Sequence, residues 1–332
     1  MEKLRIGILG CANVARKHAI PAFKALEIAE LKGIGSRDKN KAKAWAEEFS
    51  IPFSGSYDDI INSKEIDAVY IALPTGLHEH WAIKAANSGK HVLCEKSLSD
   101  SYGSVLRIVE ACRKNKAALF ENFMCEYHPQ HEKTKDVMKR ELGNVSTFIG
   151  NFGIPHLEKE NFRYKKELGG GSLNDFGAYL VFMPSLIFEN FPKAVTCCLD
   201  YDKNGVDMGG SAILEFEDGK TSLISFGLGR VYQNNYSVWG SNGLIKVNRA
   251  YSIPKDMTPD ITLIKNENLK ETERKIEAEN AHQFLLGFRA FCEAVLNKGT
   301  QTINKKYEQI LQQAKIMQAL RDSANEKRRI EL

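Results

Sequence analysis

With 332 residues, 43% of them hydrophobic and 27% charged, the chain has ordinary globular composition and a length that favours two domains over one. Its 46 basic and 42 acidic residues are interspersed to a net charge of +4, without the basic stripe that a phosphate backbone requires, which argues against nucleic acid as a partner. No apolar run approaches the roughly 20 residues that span a bilayer, and seven cysteines, odd in number and lacking a C-x-x-C pair, fit reduced thiols in a cytoplasm rather than a disulfide framework.

The opening run to Gly10 is too short for a signal peptide and leads straight into a motif, so the sequons at Asn144 and Asn235 are read as chance. From residue 4 to 122, short β-branched runs alternate with amphipathic segments. Strands are expected at 5–9, 30–35, 68–73, 91–94 and 118–121, and helices at 14–26, 39–49, 77–88 and 102–114. That alternation predicts an α/β fold, a doubly wound Rossmann sheet over 1–122. After residue 122 the pattern changes. A helix is expected at 130–140, a strand at 145–153 and a glycine-led helix at 172–188, followed by strands in series at 194–200, 210–217, 221–228, 235–240 and 244–248. Turn signals such as Glu217-Asp-Gly219 and Ser241-Asn-Gly243 separate them, predicting an α+β domain over 123–332 with a large, mainly antiparallel open sheet. Helices at 280–297 and 305–324 close the chain and can pack back on the first domain, and the charged tail 325–332 is expected to fray.

Three places in the first domain point to a dinucleotide. Gly10-Cys-Ala-Asn-Val-Ala15 follows the first strand and opens the first helix, where a glycine turn cradles a pyrophosphate on helix N–H groups; its second glycine is Ala12. Gly10, Cys11, Ala12, Asn13 and Val14 are therefore expected at the cofactor. At the end of the second strand, Gly35-Ser-Arg-Asp38 offers a hydroxyl and a guanidinium, Ser36 and Arg37, which suit a 2′-phosphate and favour NADP over NAD. The alternative is that Arg37 is a surface charge and Asp38 caps the next helix. Leu73-Pro-Thr75, with His78 at the following helix start, occupies the usual position for contacts to the nicotinamide half. His78 and His80 point apart on a helix, so no metal is expected there. Gly219-Lys-Thr221 resembles the end of a P-loop but has Leu214 where the first glycine belongs, and reads as a hairpin turn.

His91-Val-Leu-Cys-Glu-Lys96 ends a strand in Glu95 and Lys96 at the sheet edge where ligands of such folds bind. In Leu168-Gly-Gly-Gly-Ser-Leu-Asn-Asp-Phe-Gly-Ala-Tyr179, Asp175 and Tyr179 stand at i and i+4 on one helix face. A lysine, an acid and a phenol can form a proton-relay site; a surface lysine, a helix-start aspartate and a core tyrosine is the plainer alternative.

Taken in order, the first-strand turn, Ser36-Arg37, Leu73-Pro-Thr75, Glu95-Lys96 and the Gly-Gly-Gly…Asp…Tyr helix resemble the Gfo/Idh/MocA oxidoreductase family over nearly the whole chain. The segments from Phe120 to Gln130 and from Phe162 to Gly171 are similar to a narrower group of deoxysugar 3-ketoreductases and dihydrodiol, xylose and glucose–fructose enzymes, which has tyrosine where most relatives have histidine, as at Tyr179. Two positions depart from the pattern: Ser97 replaces the family's proline after Glu-Lys, and Glu126 replaces an arginine common in the diol and xylose enzymes. The resemblance implies that Lys96 and Tyr179 handle the proton at the substrate oxygen, Asp175 orients substrate or lysine, and Glu95 and Lys96 border the cofactor. It implies a soluble NADPH-dependent reductase of a nucleotide-activated keto sugar. Arg163, Lys165, Lys166 and His156 are candidates for a substrate diphosphate. The alternatives are a free-sugar or trans-dihydrodiol dehydrogenase and, of another class, a non-catalytic dinucleotide sensor. A homodimer or homotetramer joined through the open sheet is expected.

Overall fold

The computed structural model describes residues 3–267 and 270–332. Contacts divide the chain into two compact units, Met1–Phe123 with Phe284–Ala314, and Met124–Gln283 with Lys315–Leu332.

In the first unit the elements run β1 (Leu4–Leu9), α1 (Ile20–Ala25), β2 (Ala29–Gly35), α2 (Lys39–Glu48), β3 (Phe53–Gly55), α3 (Tyr57–Asn62), β4 (Ala68–Ile71), α4 (His78–Asn87), β5 (His91–Glu95), α5 (Tyr102–Lys114) and β6 (Leu119–Asn122). The six strands form one parallel sheet in the order β3-β2-β1-β4-β5-β6, the doubly wound arrangement. Burial on both faces explains the unbroken apolar reading of β4, whose four residues are all buried. The sequence reading lacked β3 and α3. Both are short, yet Ile60 of α3 packs where Gly7 and Gly33 have no side chain, and a Cβ on either glycine would collide with it. A second difference lies in the first crossover, where the expected helix at 14–26 contains a π-helical stretch, Ala15–Ala19, before α1.

The second unit begins with α6 (Pro129–Glu141), β7 (Val145–Ile154) and α7 (Ala178–Phe188), preceded by a π-helical turn at Leu173–Gly177. Strands follow at β8 (Ala194–Tyr201), β9 (Asp207–Glu215), β10 (Thr221–Leu228), β11 (Gln233–Gly240), β12 (Gly243–Asn248), β13 (Asp260–Glu267) and β14 (Lys270–Ile276). Then come α8 (Gln283–Leu296), which from Phe284 belongs to the first unit, α9 (Thr300–Glu326) and β15 (Ile330–Glu331). The nine-stranded sheet runs β14-β13-β12-β11-β7-β10-β9-β8-β15; its β7–β10 pair is parallel and its other pairs antiparallel. The tail expected to fray is ordered instead: Ile330 and Glu331 pair with β8, and the Leu332 amide donates to the Lys193 carbonyl. The last helix is divided between the units at Ala314. Tyr307 on its first part donates to the Ala117 carbonyl, and Ser323 on its last part accepts from the Cys197 amide.

One face of this sheet is lined by stacked rings, Phe148 on Tyr236 at 5.0 Å and Phe152 on Tyr251 at 5.2 Å. The other presents Ile213, Leu223 and Trp239, which are 43%, 41% and 58% exposed. A shallow cavity of about 420 Å³ lies there, with Ile149, Thr196, Ile213, Leu223 and Ser225 among its lining. The described residues include no helix long and apolar enough to cross a membrane.

Candidate functional site

The turn after β1 is shaped by Gly10, at φ 115°, where an added Cβ would strike the Ala72 carbonyl. Its amide donates to the Gly35 carbonyl at 2.9 Å, so the ends of β1 and β2 are tied together beside the turn. Residues Cys11, Ala12 and Val14 are half-buried and Asn13 is exposed at the start of the crossover helix. The first turn of a helix carries amide groups without intrahelical acceptors, the donor set a pyrophosphate uses.

At the end of β2, Asp38 accepts from the amides of Asn40 at 2.9 Å and Lys41 at 3.2 Å, capping α2. The Asp38 cap is the one named in the alternative reading of this turn. The buried Ser36 hydroxyl accepts from the Asp38 amide at 3.2 Å. Burial raises the Cys11 pKa, although Lys41 and Arg16 oppose it. Arg37 is exposed at the end of β2, and burial raises the Tyr57 pKa against the Arg37 charge. With the acid turned into a cap, a hydroxyl and cations remain, and this donor set fits a phosphate better than a ribose diol.

Leu73, Pro74 and Thr75 form the turn after β4, with Thr75 buried. His78, 1% exposed, is fixed by the backbone: Nε2 lies 2.7 Å from the Leu73 carbonyl oxygen and Nδ1 2.9 Å from that of Ser97. The ring thus lies between the turn after β4 and the turn after β5. The Lys96–Ser97 peptide is cis.

Lys96 is half-buried at the end of β5, next to two acids on adjacent strands. The Glu95 carboxylate accepts from the Tyr70 hydroxyl at 2.5 Å and the Asn122 amide at 2.7 Å. Burial pushes its pKa up, against these bonds and Lys96. Glu121 accepts from the Leu98 amide at 2.7 Å, and burial pushes its pKa up to about 7. Tyr70, Glu121 and Asn122 were not singled out from sequence. They come together through the strand register, which sets Cys94 opposite Glu121 and Glu95 opposite Asn122.

In the second unit, Tyr179 opens α7, is 4% exposed, and directs its hydroxyl to the Met124 sulfur at 3.2 Å. The π-helical turn carries Asp175, whose carboxylate is forked by Arg163, Nε to one oxygen and a second guanidinium nitrogen to the other at 3.3 Å. Burial opposes the Arg163 charge, but Asp175 outweighs it and the pKa rises. Arg163, expected at a diphosphate, therefore belongs to the Asp175 pair. Lys165 reaches Glu160 at 3.2 Å. The turn itself is anchored by Asp207, which accepts from the Ser172 hydroxyl at 2.9 Å and the Leu173 amide at 2.5 Å, a contact sequence reading missed.

Residues 4–123 match the model of an oxidoreductase family with NAD-binding Rossmann fold, and residues 133–246 match the GFO/IDH/MocA C-terminal domain. A dTDP-3,4-didehydro-2,6-dideoxy-alpha-D-glucose 3-reductase of Actinomadura kijaniata is 32% identical over 330 residues, covering 97% of this chain and 96% of its own. A D-xylose 1-dehydrogenase (NADP(+)) of Haloferax volcanii is 33% identical over 261 residues, covering 78% and 80%. The crystal structure of a 3-ketoreductase from Actinomadura kijaniata with NADP and TDP-benzene aligns at a TM-score of 0.89 and 31% identity, covering 97% and 98%. That enzyme has also been solved with a lysine changed to alanine or glutamate and a tyrosine changed to phenylalanine. The chain is an oxidoreductase and belongs to the Gfo/Idh/MocA family.

Proposed function

We propose that this oxidoreductase is an NADP(H)-dependent ketoreductase acting on a keto sugar carried by a nucleoside diphosphate. The observation that carries the cofactor half is the commitment of Asp38 to the α2 cap, which leaves Ser36 and Arg37 to receive a 2′-phosphate. The substrate half is supported by full-length likeness to an enzyme named for a dTDP-linked didehydro sugar. Gly10, Cys11, Ala12, Asn13 and Val14 would hold the pyrophosphate, and Leu73, Pro74 and Thr75 the nicotinamide half. When bound, the cofactor supplies the hydride. Tyr179 would donate a proton to the nascent alkoxide, giving the new hydroxyl, while Lys96 would stabilise negative charge on that oxygen before it is protonated. Asp175 acts through Arg163, fixing the start of the helix that carries Tyr179. Glu95, held by Tyr70 and Asn122, keeps the end of β5 in place beneath Lys96.

A second reading, oxidation of a free sugar, is favoured by the likeness to the D-xylose enzyme. NADPH consumption with a dTDP-linked keto sugar, and NADP reduction with free aldoses, separate the two. Lys96→Met is expected to keep NADPH binding and lose at least about a hundredfold in turnover; unchanged turnover refutes the assignment of Lys96. The outer face of the nine-stranded sheet, where Ile213, Leu223 and Trp239 are exposed, supports a homodimer or homotetramer in which a second copy covers it.

A further inference from the structure

We propose that His78 is a positioning residue that couples the cofactor turn, Leu73–Pro74–Thr75, to the lysine turn, Lys96–Ser97–Leu98, so that each turn holds its place only while the other does. This rests on the reading of those turns given above. The ring lies between two backbone carbonyl oxygens that belong to different strand ends, Leu73 after β4 and Ser97 after β5, at 2.7 Å and 2.9 Å. It is 1% exposed, so water does not substitute for either partner. The lysine turn is gripped again from its other side, where Glu121 on β6 accepts from the Leu98 amide at 2.7 Å. Lys96 thus projects from a segment fixed at the next carbonyl by His78 and at the following amide by Glu121. A neutral imidazole has one N–H and donates to one carbonyl at a time, whereas an imidazolium donates to both.

Burial lowers the His78 pKa, so the ring is neutral, donating to one carbonyl and packing against the other, and the two contacts can be removed one at a time. The side-chain amide of asparagine reaches the position of Nδ1, and that of glutamine the position of Nε2. His78→Asn therefore keeps the contact to Ser97 and frees Leu73, while His78→Gln keeps the contact to Leu73 and frees Ser97. The assay pairs NADPH affinity, by fluorescence titration without substrate, with kcat at saturating NADPH. Because the two turns hold their places jointly, each variant is expected both to weaken NADPH binding and to lower kcat, about tenfold each. A crossed pattern, in which His78→Asn costs only NADPH affinity and His78→Gln only kcat, or no loss in either variant, overturns the coupling.

A measurement on the unaltered protein stands if either variant fails to fold. NADP is expected to slow hydrogen exchange in peptides spanning 96–99 together with those spanning 73–77, and slowing confined to 73–77 overturns the proposal. Lys96→Met in parallel separates the two claims. If that variant loses turnover while the joint loss in the His78 variants is absent, the coupling alone falls; if it keeps turnover, the assigned role of Lys96 falls.

Discussion

His128 and His131, at the start of α6, are buried in the second unit, and their ionisation predicts how its stability depends on pH. His131 places Nδ1 3.0 Å from the Tyr236 hydroxyl and Nε2 3.0 Å from the Ala250 carbonyl, an arrangement the neutral ring satisfies by accepting at one nitrogen and donating at the other. His128 caps α6, its Nδ1 accepting from the Gln130 amide at 3.2 Å, while Nε2 is buried without a hydrogen-bond partner. Desolvation pushes the pKa of His128 down to about 4 and that of His131, with help from His128, down to about 3. In the unfolded chain both titrate near about 6.5, so as pH falls through that value the unfolded state takes up protons that the folded state refuses. Stability is therefore lost on acidification, beginning near the unfolded pKa and continuing down to the folded one. Between pH 7 and pH 5 the linkage relation gives about 2 kcal/mol per histidine, about 4 kcal/mol for the pair, a large share of the ~5–15 kcal/mol that holds a typical domain together. Urea unfolding at the two pH values measures this directly. His128→Asn keeps a capping acceptor and His131→Gln keeps a donor toward Ala250, and each is expected to reduce the acid-induced loss by about 2 kcal/mol, whatever it does to stability at pH 7. Equal losses in wild type and both variants would refute the argument.

Arg37→Ala is expected to raise the Kd for NADPH by about ten- to a hundredfold and leave that for NADH nearly unchanged, checked by fluorescence titration of both; equal effects on the two would remove the 2′-phosphate role. Gly10→Ala puts a Cβ against the Ala72 carbonyl at a positive φ, and an upward-scanned thermal melt should show about 2 kcal/mol or more of destabilisation together with weakened cofactor binding. Leu223→Glu, on the outer sheet face, is expected to lower the mass seen by light scattering to that of a monomer while leaving the far-UV spectrum unchanged. An unaltered oligomer would place the interface elsewhere.

The first unit was legible because a parallel sheet writes its own geometry into the chain: each apolar run ends at the same edge, and the residues just beyond β1, β2, β4 and β5 could be read as neighbours without knowing any side-chain contact. What escaped were elements whose stability is not local. β3 has three residues, and β14 reads Lys-Glu-Thr-Glu-Arg-Lys-Ile with no apolar alternation, because its ladder with β13 supplies the order. β15 is two residues in a run of charges, held by pairing with β8 some 135 positions upstream. The π-helical stretches before α1 and α7 defeat a 3.6-residue reading by definition.

The candidate site divides along the same line. Lys96, Tyr179 and the glycine turn carry motif signals that stand in the sequence, but their supports do not: Glu95 with Tyr70 and Asn122 depends on the order and register of three strands, and Arg163 with Asp175 on the path of a loop. His78 illustrates the consequence. From spacing it belongs to the helix start beside the nicotinamide turn, and the ring is indeed anchored there at Leu73. Its second contact, to Ser97, arises only because β4 and β5 are adjacent in the sheet, a placement that spacing along the chain does not reveal.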